Sequence, residues 1–266
     1  MRITRVLLAL PVALLFGQIA ATAHAQTLGL NFSNPPQVSN NGEAPLEWYT
    51  DRSAPCTFSA ANGVLTEGVC PSDFNASTPN FFNTQGNKFD LVPGTTTVSI
   101  EVYIPETWEE LPERLAGFWA TAVDSSYAVG NDYPIIEFQG PTTTEVPGPS
   151  YWPNNGVAGF YGWNNTASNG CTPTGLGGWN YIGLPANFRY NSWVKLTMTL
   201  GGGVLTYTVA NPSGAHAVSI TSPLCDATEA YLGNVILEGY NYDAPQSIAW
   251  KLLKFSFDSN GQIVWN

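Results

Sequence analysis

Residues 193–210 read WVKLTMTLGGGVLTYTVA. Apolar and polar residues alternate on both sides of a triple glycine, a period of two that belongs to a β-strand with one buried face. Gly201, Gly202 and Gly203 tolerate the positive φ of a tight reversal, so the stretch predicts an antiparallel hairpin. Similar runs recur along the chain: TTVSIEVYI at 96–104, LAGFWATAV at 115–123, IIEFQ at 135–139, VAGFYGW at 157–163, NVILEGYNY at 234–242 and WKLLKFSFD at 250–258. Helical periodicity is almost absent; only ETWEELPER at 106–114 has room for a helical turn, and Pro112 limits it. Many short strands with glycine- and proline-rich connections (26 Gly, 20 Pro) predict an all-β fold of two packed antiparallel sheets.

The first 25 residues stand apart. Arg2 and Arg5 precede the apolar run VLLALPVALLF at 6–16, and Ala23-His24-Ala25 forms a small-x-small cleavage site, the pattern of a secretory signal peptide. The run is too short to span a bilayer, which takes about 20 apolar residues, so no membrane insertion is expected. Residues 26–266 then form the expected single domain, with no linker, repeat or low-complexity block to divide them. Cleavage removes two arginines and no acid, taking the formal charge from −11 to −13. That balance repels nucleic acid and anionic lipid and disfavours a strongly anionic polysaccharide. A secreted monomer, extracellular or periplasmic, is the expectation.

Export also places Cys56, Cys70, Cys171 and Cys225 in an oxidising compartment, where two disulfides are expected. Asn62-Gly63, a hairpin-type turn between Cys56 and Cys70, favours the pairing Cys56–Cys70 with Cys171–Cys225. Zinc is a weaker alternative, because the chain has no CxxC and His216 is its one histidine outside the leader.

Alternation sorts the side chains by face. Val98, Ile100, Val102 and Ile104 form a core face, which turns Glu101 and Tyr103 the other way. Trp119 falls with Leu115 and Thr121; Tyr161 falls with Trp163; Glu238 falls with Ile236 and Tyr240; Glu137 sits in mid-strand with Ile135 and Gln139. Large aromatics beside isolated acids suit a sugar, whose C–H face packs on an aromatic ring while its hydroxyls seek carboxylate and amide partners. Glu137, Glu101 and Glu238 are the mid-strand acids that pass this test, and paired strands bring side chains within the range that glycosidase carboxyl pairs use. The expected catalytic carboxylates are therefore Glu137 with Glu101 or Glu238, and the expected substrate contacts are Trp119, Tyr103, Gln139, Tyr161, Trp163, Tyr240, Trp152 and Arg189. Each glutamate could equally be an acid on a solvated face or in a local ion pair. A Ser-His-Asp hydrolase is disfavoured, since His216 has no nucleophile-elbow motif to serve.

The order of these runs, from TTVSIEVYIP through RLAGFWATAVDSS and YPIIEFQG to YNSWVKLTMTLGGGVLTYTVA and NVILEGYNYDAPQSIAWKLLKFSFD, resembles the concanavalin A-like lectin and glucanase jelly rolls. It does so as architecture and rhythm over about residues 28–265. The Glu-x-Asp-x-x-Glu pattern of family-sixteen glycoside hydrolases is absent, as are the Gln-Ile-His and paired-arginine motifs of alginate lyases with this fold. The resemblance implies a jelly-roll β-sandwich with a concave groove as its site, and an endo-acting glycoside hydrolase on an extended polysaccharide or oligosaccharide. The alternatives are a lectin or carbohydrate-binding module without turnover, or a polysaccharide lyase using a tyrosine base. No cofactor is required; a structural calcium is common in the superfamily, and Asp258 is its one weak candidate ligand here.

Overall fold

A computed structural model of the protein describes residues 26–40, 42–44, 46–75, 83–111, 114–141, 157–164, 179–241 and 246–257. The leader, Trp152, Cys171 and Asp258 lie outside these residues. The described residues form two antiparallel sheets packed face to face. The first runs β13 (Val218–Pro223), β12 (Val204–Ala210), β11 (Ser192–Gly201), β6 (Thr95–Ile104), β15 (Gln246–Phe257), β4 (Val64–Val69) and β3 (Thr57–Ala61), and β1 (Gln26–Leu30) also pairs with β15. The second runs β10 (Asn180–Gly183), β9 (Gly159–Trp163), β8 (Ile135–Gln139), β7 (Arg114–Asp124), β14 (Glu229–Tyr240), β5 (Thr84–Asp90) and β2 (Trp48–Thr50).

The glycine hairpin forms as read. Gly201 pairs with Val204 across the β11–β12 turn, and Gly202 and Gly203 both take positive φ, 62° and 76°. Two successive positive φ values match the right-handed twist of the flanking strands. Asn62 and Gly63 make the equivalent turn between β3 and β4, with φ of 52° and 78°. It returns the chain so that Cys56 and Cys70 meet in a disulfide, with Cα atoms 5.8 Å apart. Cys225 is also disulfide-bonded; Cys171, its expected partner, is outside the described residues. Between residues 106 and 114 the helical turn shrinks to a 3-10 turn, Glu106–Trp108.

Between the sheets, Val98, Ile100, Val102 and Ile104 of β6 face Phe118, Ala120, Ile136, Phe138, Phe160, Val235 and Leu237 of the other sheet, all buried in one cluster. Each larger side chain of this set contributes about 1.5–3 kcal/mol by leaving water. Leu115 joins the cluster too, although alternation had placed it with Trp119. The β7–β8 register shifts between Arg114 and Ala116, and such an irregularity turns the residue beside it to the opposite face.

Candidate functional site

The candidate site lies on the outer face of the seven-stranded sheet. Register sets its rows: Tyr161 of β9 pairs with Glu137 of β8, Glu137 with Gly117 of β7, Gly117 with Glu238 of β14, and Glu238 with Gly86 of β5. Two residues along, Trp163, Ile135, Trp119, Ile236 and Lys88 make the next row. Trp119, Ile135, Ile236 and Tyr240 form a second apolar cluster, separate from the core, with Trp163 and Trp179 packed against it. Six expected residues, Glu137, Glu238, Trp119, Tyr161, Trp163 and Tyr240, thus share one surface. Gln139 continues the Glu137 side of β8, and its Oε1 is buried without a donor among the described residues.

Glycines make this packing possible. A Cβ on Gly117 would strike the indole nitrogen of Trp119, so the missing side chain lets the indole lie over β7 between the two glutamates. The same gap lets Tyr240 reach across β7, where its hydroxyl donates to Glu137 Oε2 at 2.5 Å. On the far side, a Cβ on Gly86 would come 2.9 Å from Glu238 Oε2, so that carboxyl leans over bare backbone. Gly86 also clasps the loop after β2: Asp51 N–H donates to its carbonyl and its own N–H donates to Ser53 O. Arg52 is thereby held with its guanidinium 4.7 Å from the Trp119 ring centroid, within cation–π range, and its Nη1 donates to Thr84 Oγ1 at 3.2 Å.

The two glutamates are both fully buried but have different surroundings. Glu137 receives the short Tyr240 bond. No N–H donor among the described residues reaches either oxygen of Glu238, and its carboxyl faces that of Asp51. Burial, and next the charge of Asp51, push the Glu238 carboxyl well above the usual carboxylate range, and the nearby Arg52 offsets this only in part. Burial thus favours the protonated form of Glu238. Tyr161 is pushed up to about 12 by burial and then by Tyr181, whose ring centroid is 5.2 Å away; its hydroxyl donates to Val157 O at 2.8 Å. A phenol so placed is a poor base for elimination.

Beyond Trp163, Asn164 donates to Asp132 Oδ1, and Asp132 Oδ2 accepts from Cys225 N at 2.8 Å and Asp226 N at 3.1 Å. This buried carboxylate ties the end of β9 and the approach to β8 to the β13–β14 turn. Among the described residues no group of three or more His, Cys, Asp or Glu side chains is placed to hold a metal.

Three expected residues are not brought to this face. Glu101 and Tyr103 do point away from the core, but β6 belongs to the other sheet, so they lie on the opposite side of the sandwich. There Glu101 pairs with Lys251 Nζ at 3.1 Å. That ammonium sits 4.4 Å from the Trp193 ring centroid, and Tyr103 packs edge-on against the same ring at 5.4 Å. Glu101 therefore cannot act with Glu137. Arg189 lies exposed in the loop between β10 and β11, its carbonyl accepting from Ser192 Oγ. Arg52 and Asp51 reach the face instead. They follow the short strand WYT with no local motif, and the backbone bonds to Gly86 that position them leave no trace in the sequence.

No protein-family model and no curated protein matches the sequence. Solved structures do share the fold, and it is the concanavalin A-like jelly roll. The CBM2 module of the evolved Dit of Lactobacillus casei BL23 phage J-1 aligns over 91% of this chain and 99% of its own, at 11% identity and a TM-score of 0.53. The GlcNAcα1-4Gal-releasing endo-β-galactosidase of Clostridium perfringens aligns over 91% of this chain and 64% of its own, at 9% identity and 0.53. GH43B of the Bacteroides ovatus xyloglucan PUL aligns over 86% of this chain and 39% of its own, at 14% identity and 0.52. At these identities the likeness is one of fold alone.

Proposed function

We propose that the protein is an exported glycan hydrolase, which lays a neutral, extended glycan along the outer face of the seven-stranded sheet. Glu238 is the general acid and Glu137 the base. One observation carries this reading: two buried carboxyl groups share an aromatic surface yet differ in surroundings, Glu238 without an N–H donor among the described residues and Glu137 accepting from the Tyr240 hydroxyl. Acid–base pairs in glycosidases rest on such asymmetry. Two strand spacings of about 4.8 Å separate the backbones of the pair by about 10 Å, room for a water between carboxyl groups in the manner of inverting enzymes. Glu238 gives its proton to the glycosidic oxygen as the anomeric carbon–oxygen bond breaks. Glu137 takes a proton from the water whose oxygen bonds to that carbon, and both groups return to their starting states by exchange with solvent. Trp163 and Trp179, both half-buried, supply ring faces for sugars, and Trp119 backs them from beneath. The Cys56–Cys70 bridge supports an oxidising compartment.

A carbohydrate-binding module without turnover is the second reading, favoured by the complete burial of both glutamates. Its likeness in fold and length to a phage carbohydrate-binding module agrees with it. The test is a screen of the protein against galactan, xyloglucan, mixed-linkage glucan and arabinan, following reducing ends, unsaturated-product absorbance and binding. New reducing ends without that absorbance support hydrolysis. Binding alone supports the module, both signals together support a lyase, and no interaction with any polymer removes the glycan reading.

A further inference from the structure

The outer face does not stop at the glutamates. Along β14 it continues from Glu238 through Ile236 and Asn234 to Tyr231, which pairs with Val123 of β7; the six residue steps from Gly117 to Val123 on the paired strand, at about 3.3 Å each, set Tyr231 about 20 Å from Glu238. Here the surface opens. Tyr127 is 39% exposed and Val129 58%, and the Tyr127 and Tyr231 rings stack nearly parallel, 10° apart with centroids 5.8 Å from one another.

The backbone at Tyr127 is strained. Its φ is +66°, a conformation that a bulky side chain rarely adopts and that suits glycine. The turn that holds it is tightly made: Asp124 Oδ1 accepts from Ser126 N, Ser126 Oγ and Ala128 N at 2.7, 2.7 and 3.0 Å, and Tyr127 N donates to Asp124 O. At the same end, Asp226 Oδ1 accepts from Thr228 N and Oγ1 at 2.9 and 2.6 Å. Their Thr228 and Ser126 bonds hold both aspartates below the usual carboxylate range, and the two carboxylates lie near enough to interact with one another at this end of the sheet. The Tyr127 hydroxyl accepts from Gly94 N–H, which fixes the ring against the β5–β6 connection, and neither ring belongs to the core cluster.

We infer that the Tyr127–Tyr231 stack is a distal sugar platform of the same face, holding a pyranose several units from Glu238 while Asp124 and Asp226 accept from its hydroxyls. The inference rests on the proposed glycan reading and adds that the ligand is a polymer spanning about 20 Å of sheet, not a mono- or disaccharide.

The test compares affinity for whichever of the four screened polymers the wild type engages with affinity for the disaccharide cut from it, in Tyr127→Gly, Tyr231→Ala and Tyr231→Phe. Tyr127→Gly removes a ring where glycine suits the backbone, so its Tm should not fall. The expected result is a polymer Kd raised about tenfold by Tyr127→Gly and Tyr231→Ala, with near wild-type affinity in Tyr231→Phe, which keeps the ring. The disaccharide Kd should be unchanged in all three. Unaltered polymer affinity, or equal losses on polymer and disaccharide, would overturn the platform and leave the glycan reading standing. A wild type that engages none of the four polymers sinks both.

Discussion

Glu67 offers the sharpest physical test of how this sandwich is held together. It lies on β4 between Leu65 and Val69, whose side chains point into the core, and it is fully buried. The Trp250 indole N–H donates to its Oε2 at 3.0 Å. Burial pushes its carboxyl from 4.5 to about 8 against the opposing pull of that bond. Because the folded-state value is raised, the folded protein binds this proton more tightly than the unfolded chain does. The stabilisation is complete below about pH 4.5 and is lost as pH rises to about 8. At about 1.4 kcal/mol per pKa unit the loss has a ceiling of about 5 kcal/mol. Glu67→Gln mimics the protonated acid: its carbonyl can still accept from Trp250, and it cannot ionise. Urea unfolding of both proteins across this window, at matched m-values, should give stabilities within about 1 kcal/mol of one another at the acidic end. The glutamine variant should then gain steadily until the difference levels off above about pH 8. Glu229 is also raised but has no contribution from Glu67 and cancels in the difference; Glu238, which charge on Glu67 raises, adds to the gain of the glutamine variant in the same direction. A difference that does not change with pH, or that turns against glutamine as pH rises, would refute a buried neutral Glu67.

Further outcomes follow from the same packing. Charge on Glu67 raises Glu238, so Glu67→Gln should move the alkaline limb of any pH–activity profile to lower pH. Gly86→Ala forces a Cβ against Leu237 O and Glu238 Oε2; backbone cannot yield cheaply, and a loss of about 2 kcal/mol in urea unfolding is expected. Asp132→Ala strips the partners from the buried N–H groups of Cys225 and Asp226. It should cost about 3 kcal/mol and speed hydrogen exchange at those two amides.

Much of this arrangement was legible in the sequence where alternation alone decides it. The period of two in TTVSIEVYI placed Val98 to Ile104 inside, and the same rule put Glu137, Trp119, Tyr161 and Glu238 outside. It could not say that Glu101 and Tyr103 were outside on the other sheet, because parity separates inward from outward and not one sheet from its partner. Leu115 escaped the rule because a register shift reverses parity without altering composition. Arg52 and Asp51 were invisible since Gly86, over thirty residues away, sets their place through backbone bonds. Glu67 had a signal: in VLTEGV it alternates with Leu65 and Val69, a pattern that puts a carboxyl in the core.

The central claim, that Glu137 and Glu238 work as a pair on one glycan-bearing face, is tested most directly by turnover and affinity measured together on Glu137→Gln and Glu238→Gln. Loss of reducing-end release in both variants, with polymer Kd within about tenfold of wild type, is the predicted result. Undiminished release from either variant would contradict it.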